Sequence, residues 1–183
     1  MQTINEDIKS GQYKKVYLLY GEESFLKQSY KKKLKEAVAG DDTMNYNYFE
    51  GKGLDVNELI SLSDTMPFFS DKRLIIIEDS GFFKTSSEAL ADYLPMIPDT
   101  TCIVFVEDAV DKRNRLFKKV KELGHAAEMK RQDSAQLARW AGTILAQNGR
   151  KITGSTMNLF LERTGDDMEN IRMELEKLIS YTM

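Results

Sequence analysis

The stretch VYLLYGEESFLKQS, residues 16–29, decides how the chain is read. Val16-Tyr17-Leu18-Leu19 is an apolar run, Gly21 marks a turn, and a lysine-rich segment of helical character follows. Strand, glycine turn and helix, in that order, are the setting of a phosphate-binding loop. Laid over G-x-x-x-x-G-K-[ST], Gly21 takes the first glycine and Lys27 the lysine. Leu26 stands at the second glycine and Gln28 at the Ser/Thr. Leu26 adds a side chain where backbone must approach phosphate, and Gln28 is a poor Mg²⁺ ligand there. Glu22 and Glu23 add two negative charges beside the anion site. The stretch therefore reads as the retained scaffold of a phosphate loop with a degenerate, non-functional site, and Lys27 as an ordinary helix lysine.

Outward from this stretch, five short runs have β character: Val16–Tyr20, then residues 45–49, 73–77, 101–106 and 126–129. Leu74-Ile75-Ile76-Ile77 and Cys102-Ile103-Val104-Phe105-Val106 are continuous apolar runs rich in β-branched residues. Such runs fit strands covered on both faces, as in parallel sheets. Helices are expected between them, over residues 4–10, 22–38, 55–63, 86–94 and 111–123. Asp55 and Glu58 have capping-box spacing, Pro95 is expected to stop the fourth helix, and Gly124 follows the fifth. Strands alternating with helices of this length predict an α/β domain with a mainly parallel sheet.

After Lys130 the pattern turns wholly helical. Asp133 precedes a segment with Leu137, Trp140, Ile144 and Leu145 on one face. A second helix is expected over residues 154–163, with Met157, Phe160 and Leu161 inward. A third starts near Asp167, with Met168, Ile171, Leu175 and Leu178 at spacings of three and four. The expected organisation is an α/β domain over residues 1–130 and a small three-helix domain over residues 131–183. The last apolar stripe is still running at Met183 without a glycine or proline stop, which predicts a piece of a longer protein.

Composition narrows the function. With 42% apolar and 30% charged residues among 183, the chain can bury a core and stay in solution. A net charge of −3 argues against a surface given over wholly to nucleic acid. No signal pattern and no apolar run near membrane-span length occur, which predicts a soluble cytoplasmic protein. The single cysteine, Cys102, lies within an apolar run and reads as a small buried hydrophobe. The single histidine, His125, excludes a histidine-rich metal set, and at a helix end it suits solvation or capping better than catalysis. Glu78-Asp79 and Glu107-Asp108 close two strands, where a nucleoside triphosphatase holds Mg²⁺. Without a competent loop opposite, they read as solvated or capping carboxylates. No catalytic residue, metal ligand or cofactor is expected.

Two other features can meet a partner. In Thr65-Met66-Pro67-Phe68-Phe69-Ser70, Pro67 ends the preceding helix and two adjacent aromatic side chains follow in a connection. An exposed apolar pair suits a pocket on a partner protein; spacing alone leaves open whether one Phe packs under the sheet edge instead. Lys112, Arg113 and Arg115, with Lys118, Lys119 and Lys121, form a basic group that is either a solvated face or a contact for a phosphate backbone.

Taken together, four stretches resemble the delta subunit family of the bacterial DNA polymerase III clamp loader. They are residues 16–23, residues 66–74 (MPFFSDKRL), Asp111-Lys112-Arg113 with Leu116-Phe117-Lys118, and Gly165-Asp166-Asp167-Met168 running into residues 174–178 (ELEKL). The resemblance implies an AAA+ fold: a RecA-like five-stranded parallel sheet flanked by helices, then a three-helix lid, with the family's C-terminal collar domain absent. It implies a subunit of the polymerase holoenzyme without ATPase activity, which binds the sliding clamp (the beta subunit) and opens its ring for loading onto primed DNA. Phe68 and Phe69 match the pair that inserts into the clamp, with Met66 and Pro67 leading in and counted with them as clamp-binding; some relatives carry Leu-Phe at the pair. Other loader subunits would be reached through the collar. No Ser-Arg-Cys motif occurs. The alternatives are a P-loop ATPase or kinase with a divergent loop, and a non-catalytic AAA+-like DNA-binding module.

Overall fold

The computed structural model describes residues 1–85 and 87–181. The apolar runs form β1 (Val16–Tyr20), β2 (Tyr46–Glu50), β3 (Arg73–Glu78), β4 (Thr101–Glu107) and β5 (His125–Glu128). They build one sheet in the order β2-β3-β4-β1-β5, with every neighbouring pair parallel. Val16 pairs with Ile103, Tyr17 with His125, Tyr46 with Leu74 and Arg73 with Thr101. β1, β3 and β4 are buried at every residue because they are the interior strands. The edge strand β2 is only partly covered.

The connecting helices are α1 (Gln2–Ser10), α2 (Ser24–Val38), α3 (Val56–Asp64), α4 (Glu88–Tyr93) and α5 (Arg115–Leu123). Side chains alternate across a strand, so a strand in mid-sheet supplies two cores. Leu18, Ile75, Ile77, Ile103 and Phe105 pack with Leu59, Leu90, Leu116 and Val120 of α3, α4 and α5. The alternate set, including Tyr17, Leu19, Leu74, Ile76 and Val104, is equally buried. α2 lies against β1, β3 and β4. A right-handed crossover from β1 to β2 runs opposite to those from β2 through β5, which puts α2 on the face away from α3, α4 and α5.

Boundaries differ from the periodic reading where side chains cap. α2 begins at Ser24 because the Glu23 carboxylate takes the Phe25 N–H. α5 begins at Arg115, after a turn, because the Asn114 side chain accepts from Leu116 N–H at 2.8 Å. α4 ends at Tyr93 with Leu94 as its cap, directly before Pro95 as expected, and Pro95 sits inside a 3₁₀ turn, Leu94–Met96, where a missing N–H costs nothing. The expected start of α4 at Ser86 lies outside the described residues. Gly124 is needed for space, since a Cβ there would meet the Val16 carbonyl oxygen at 1.9 Å.

The chain divides into two compact units, the first ending at Lys130 and the second beginning at Arg131. The second contains α6 (Ser134–Gln147), α7 (Gly154–Thr164) and α8 (Met168–Tyr181). Asp133 and Gln136 form a reciprocal capping box on α6. Leu137, Ala141, Leu145, Met157, Met168, Ile171 and Leu175 make its core. Leu178, expected inward, is exposed: the stripe turns away from the core one turn after Leu175. The end of that stripe at Met183 lies outside the described residues.

Candidate functional site

In and after the turn that follows β1, the backbone donors of Gly21, Glu23, Phe25 and Lys27 are engaged. Gly21 N–H donates to the Glu107 carbonyl at 3.3 Å, and Glu23 N–H to the Met129 carbonyl at 3.0 Å. Phe25 N–H is taken by Glu23 Oε1, and Lys27 N–H by the Glu23 carbonyl. A phosphate loop binds because such N–H groups point inward unpaired; here these are spent on protein. Gly21 has φ +123°, and a Cβ there would meet the Met129 carbonyl oxygen at 2.4 Å. The glycine therefore serves close packing of β5's exit against the turn.

Lys27 is not the ordinary helix lysine the pattern suggested. Its side chain is 4% exposed and pairs with Asp108, which is 73% exposed. Gln28 Nε2 donates to Glu78 Oε1 at 2.5 Å, Lys31 Nζ to Glu78 Oε2 at 2.6 Å, and the Tyr48 hydroxyl to the same oxygen at 3.0 Å. Burial pushes the Glu78 carboxyl up, but hydrogen bonds from Lys31 and Gln28 and the lysine's charge outweigh it, and the group lies below its ordinary range. Glu107 shows the opposite balance. Burial raises it above the ordinary range against the opposing Ser80 hydroxyl, which donates to it. Of the strand-end carboxylates expected to be solvated or capping, Glu78 and Glu107 are instead buried and hydrogen-bonded, while Asp79 and Asp108 are exposed. Among the described residues, no three His, Cys, Asp or Glu side chains are placed to hold a metal ion. Leu26, at the second-glycine position, is buried.

The connection after α3 is built the other way round. Its backbone is held and its side chains are free. Asn45, 1% exposed, accepts from Phe68 N–H through Oδ1 at 2.7 Å and donates through Nδ2 to the Phe68 carbonyl at 2.8 Å. Asn45 Nδ2 also donates to Asp42 Oδ2 at 2.7 Å. The buried Arg73 donates to the Thr65 and Met66 carbonyls at 3.1 and 3.4 Å and to Asn47 Oδ1 at 3.1 Å. These bonds satisfy carbonyls that the end of α3 leaves over. On this frame Met66 and Phe68 are exposed and Phe69 is 95% exposed. The Phe68 and Phe69 rings meet edge to face at 4.4 Å. Phe69 has φ +51°, a left-handed conformation that a bulky residue adopts only under constraint. Pro67 is half-buried at the start of the turn. Both rings stay outside the core, so neither packs under the sheet edge. Asn45 and Arg73 were not foreseen; an asparagine beside a strand start and an arginine opening one carry no periodic signal.

The basic group is largely neutralised. Lys112 pairs with Glu128 at 3.0 Å, Arg113 with Asp111 at 2.9 Å, and Arg115 with both Glu88 and Asp92. Cys102 is buried, and burial pushes its thiol up to about 12. His125 is half-buried, its Nε2 has no hydrogen-bond partner, and burial with the nearby N-terminus holds it below its usual value. No helix among the described residues is long and apolar enough to cross a membrane.

Comparison with known proteins bears on the same elements. The family model "DNA polymerase III, delta subunit" matches residues 17–130. DNA polymerase III subunit delta of Bacillus subtilis is 21% identical over 96% of this chain and 54% of its own length. Probable DNA polymerase III subunit delta of Aquifex aeolicus is 23% identical over 91% of this chain and 50% of its own length. The chain thus spans about half the length of the curated relatives it matches. The solved Bacillus subtilis DNA clamp loader delta protein superposes with a TM-score of 0.80 at 20% identity, over 99% of this chain and 57% of that one. The fold is the expected one: an AAA+ parallel five-stranded sheet flanked by helices, followed by three helices.

Proposed function

The chain belongs to the DNA polymerase III delta subunit family, and on that premise we propose that it is a non-ATPase part of a clamp loader that grips a sliding clamp through Met66, Pro67, Phe68 and Phe69. The observation that carries this reading is the tip after α3, where two aromatic rings in edge-to-face contact are exposed to solvent on a hydrogen-bonded frame. Apolar anchors that fill a partner's pocket dominate binding energy at interfaces. Burying both rings contributes on the order of 3–6 kcal/mol before the costs of association. That suits a grip that is made and released. The rigid sheet behind the tip then carries force from the rest of the loader into the clamp ring, and opens one of its interfaces for loading onto primed DNA in the cytoplasm. The relatives' additional length would hold the loader together.

The consumed phosphate loop supports a subunit that binds no ATP and performs no catalysis. With Lys27 committed to Asp108, and Gln28 and Lys31 to Glu78, the side chains a nucleotide would need are already partnered. Lys112, Arg113 and Arg115 would contact DNA only by exchanging carboxylate partners for phosphates. Calorimetry with the sliding clamp tests the proposal. Phe68→Ala with Phe69→Ala is expected to weaken binding at least a hundredfold while leaving the fold intact; an unchanged affinity would overturn it.

A further inference from the structure

We infer that Asn45 is a positioning residue for the clamp-gripping tip, a role that rests on the reading of Phe68 and Phe69 given above. Asn45 lies just before β2, 23 residues from Phe68 in sequence. Its backbone carbonyl accepts from Leu74 N–H at 2.8 Å, which ties it to the start of β3. Its side chain closes a two-bond ring on the backbone of Phe68, one bond accepted from the residue's N–H and one donated to its carbonyl. An amide suits this ring because it carries a donor and an acceptor side by side. The Asp42 carboxylate accepts from Asn45 Nδ2 at 2.7 Å and from Asn45 N–H at 3.0 Å, which sets the amide's orientation.

The frame matters because the tip is otherwise unsupported. Phe69 is almost wholly in solvent, so the core cannot orient it. Its left-handed backbone is a conformation that a free loop would leave. Arg73 fixes the carbonyls of Thr65 and Met66 on the helix side, and Asn45 fixes Phe68 on the sheet side. Between them the chain is pinned on both sides of Pro67. A tip held in its bound shape loses less conformational entropy on docking. Asn45 therefore raises clamp affinity without touching the clamp.

Asn45→Ala tests this in the full chain. The expected result is a drop in clamp affinity of about tenfold or more, measured by calorimetry under conditions where urea denaturation shows the variant folded. Amide hydrogen exchange should quicken at residues 66–70 and stay slow in β3. In a Phe69→Ala background, the same substitution should weaken binding less, because less apolar surface depends on the tip's geometry. Unaltered affinity, an equal loss in both backgrounds, or faster exchange spread through β3 would overturn the proposal. Arg73→Lys is the second variant, keeping the charge but losing the fork that spans the two carbonyls. It should quicken exchange at residues 66–70, and slow exchange there would also count against the two-sided frame. If the paired ring removal leaves affinity unchanged, the reading of the tip fails first; if that removal abolishes binding while Asn45→Ala does not weaken it, only the positioning role fails.

Discussion

The turn after β1 and the turn after α3 stand at opposite ends of one design problem. In the first, charged and polar side chains are turned inward and partnered: Lys27 with Asp108, Gln28 and Lys31 with Glu78. In the second, the backbone is partnered by Asn45 and Arg73 while Met66, Phe68 and Phe69 are left in water. A group already satisfied within the protein gives a ligand little, since binding would exchange one hydrogen bond for another. An exposed aromatic pair keeps its full transfer free energy for a partner. Function is read from what the fold leaves unsatisfied, and in the first turn Lys27, Gln28 and Lys31 already have partners.

Removing both rings at the tip should have the largest effect, on binding alone. Next come substitutions that break the first turn's pairing unequally. Asp108→Asn strands a buried ammonium, and is expected to cost about 2 kcal/mol of stability, below the range for a fully buried pair because Asp108 itself is solvent-exposed. Lys27→Met leaves an exposed carboxylate that water can cover, and should cost about 1 kcal/mol or less. Urea denaturation of the two variants measures the asymmetry; equal costs would show that Lys27 is not held as buried. Phe69→Gly should act oppositely on the two properties. It relieves the left-handed strain and is expected to raise stability by up to about 1 kcal/mol, while clamp affinity falls at least tenfold. A stability loss there would mean that the ring supports the fold.

The smallest effects concern pH. Glu78 lies below its ordinary value of 4.5, so its contribution is full above that value and is lost as pH falls through the lowered one. Glu107 lies above the same ordinary value, so its contribution is full below it and is lost as pH rises through the raised one. Glu78→Gln should therefore flatten the acid limb of the stability profile. Glu107→Gln should remove a decline that sets in above pH 4.5. Urea midpoints from acid to neutral pH check both slopes, and identical profiles for the two variants would contradict the opposite environments.

The fold was largely legible in local pattern. Continuous β-branched runs at residues 74–77 and 102–106 announced buried parallel strands, and capping residues such as Asp55 and Asp133 marked helix starts. The tip was legible as a candidate from Pro67 and two adjacent phenylalanines. The fate of Lys27 was not. Its partner lies 81 residues away, at the end of a strand that neighbours β1 only because β4 crosses back beside it. The same holds for Asn45, whose bond to Phe68 requires β2 and β3 to be neighbours in register.

By itself, the sequence determined the elements, their α/β alternation and the change to helices after Lys130, and it placed Leu26 and Gln28 where a phosphate loop carries glycine and Ser/Thr. These follow from periodicity, capping and side-chain chemistry, which act over a few residues. Only the tertiary structure decided which polar groups were consumed and which apolar ones were left out. Ion pairs and side-chain bonds form between whatever the strand order brings together, and the order β2-β3-β4-β1-β5 is a property of the folded sheet. That order closed the first turn on itself and set Phe68 and Phe69 on a frame facing solvent.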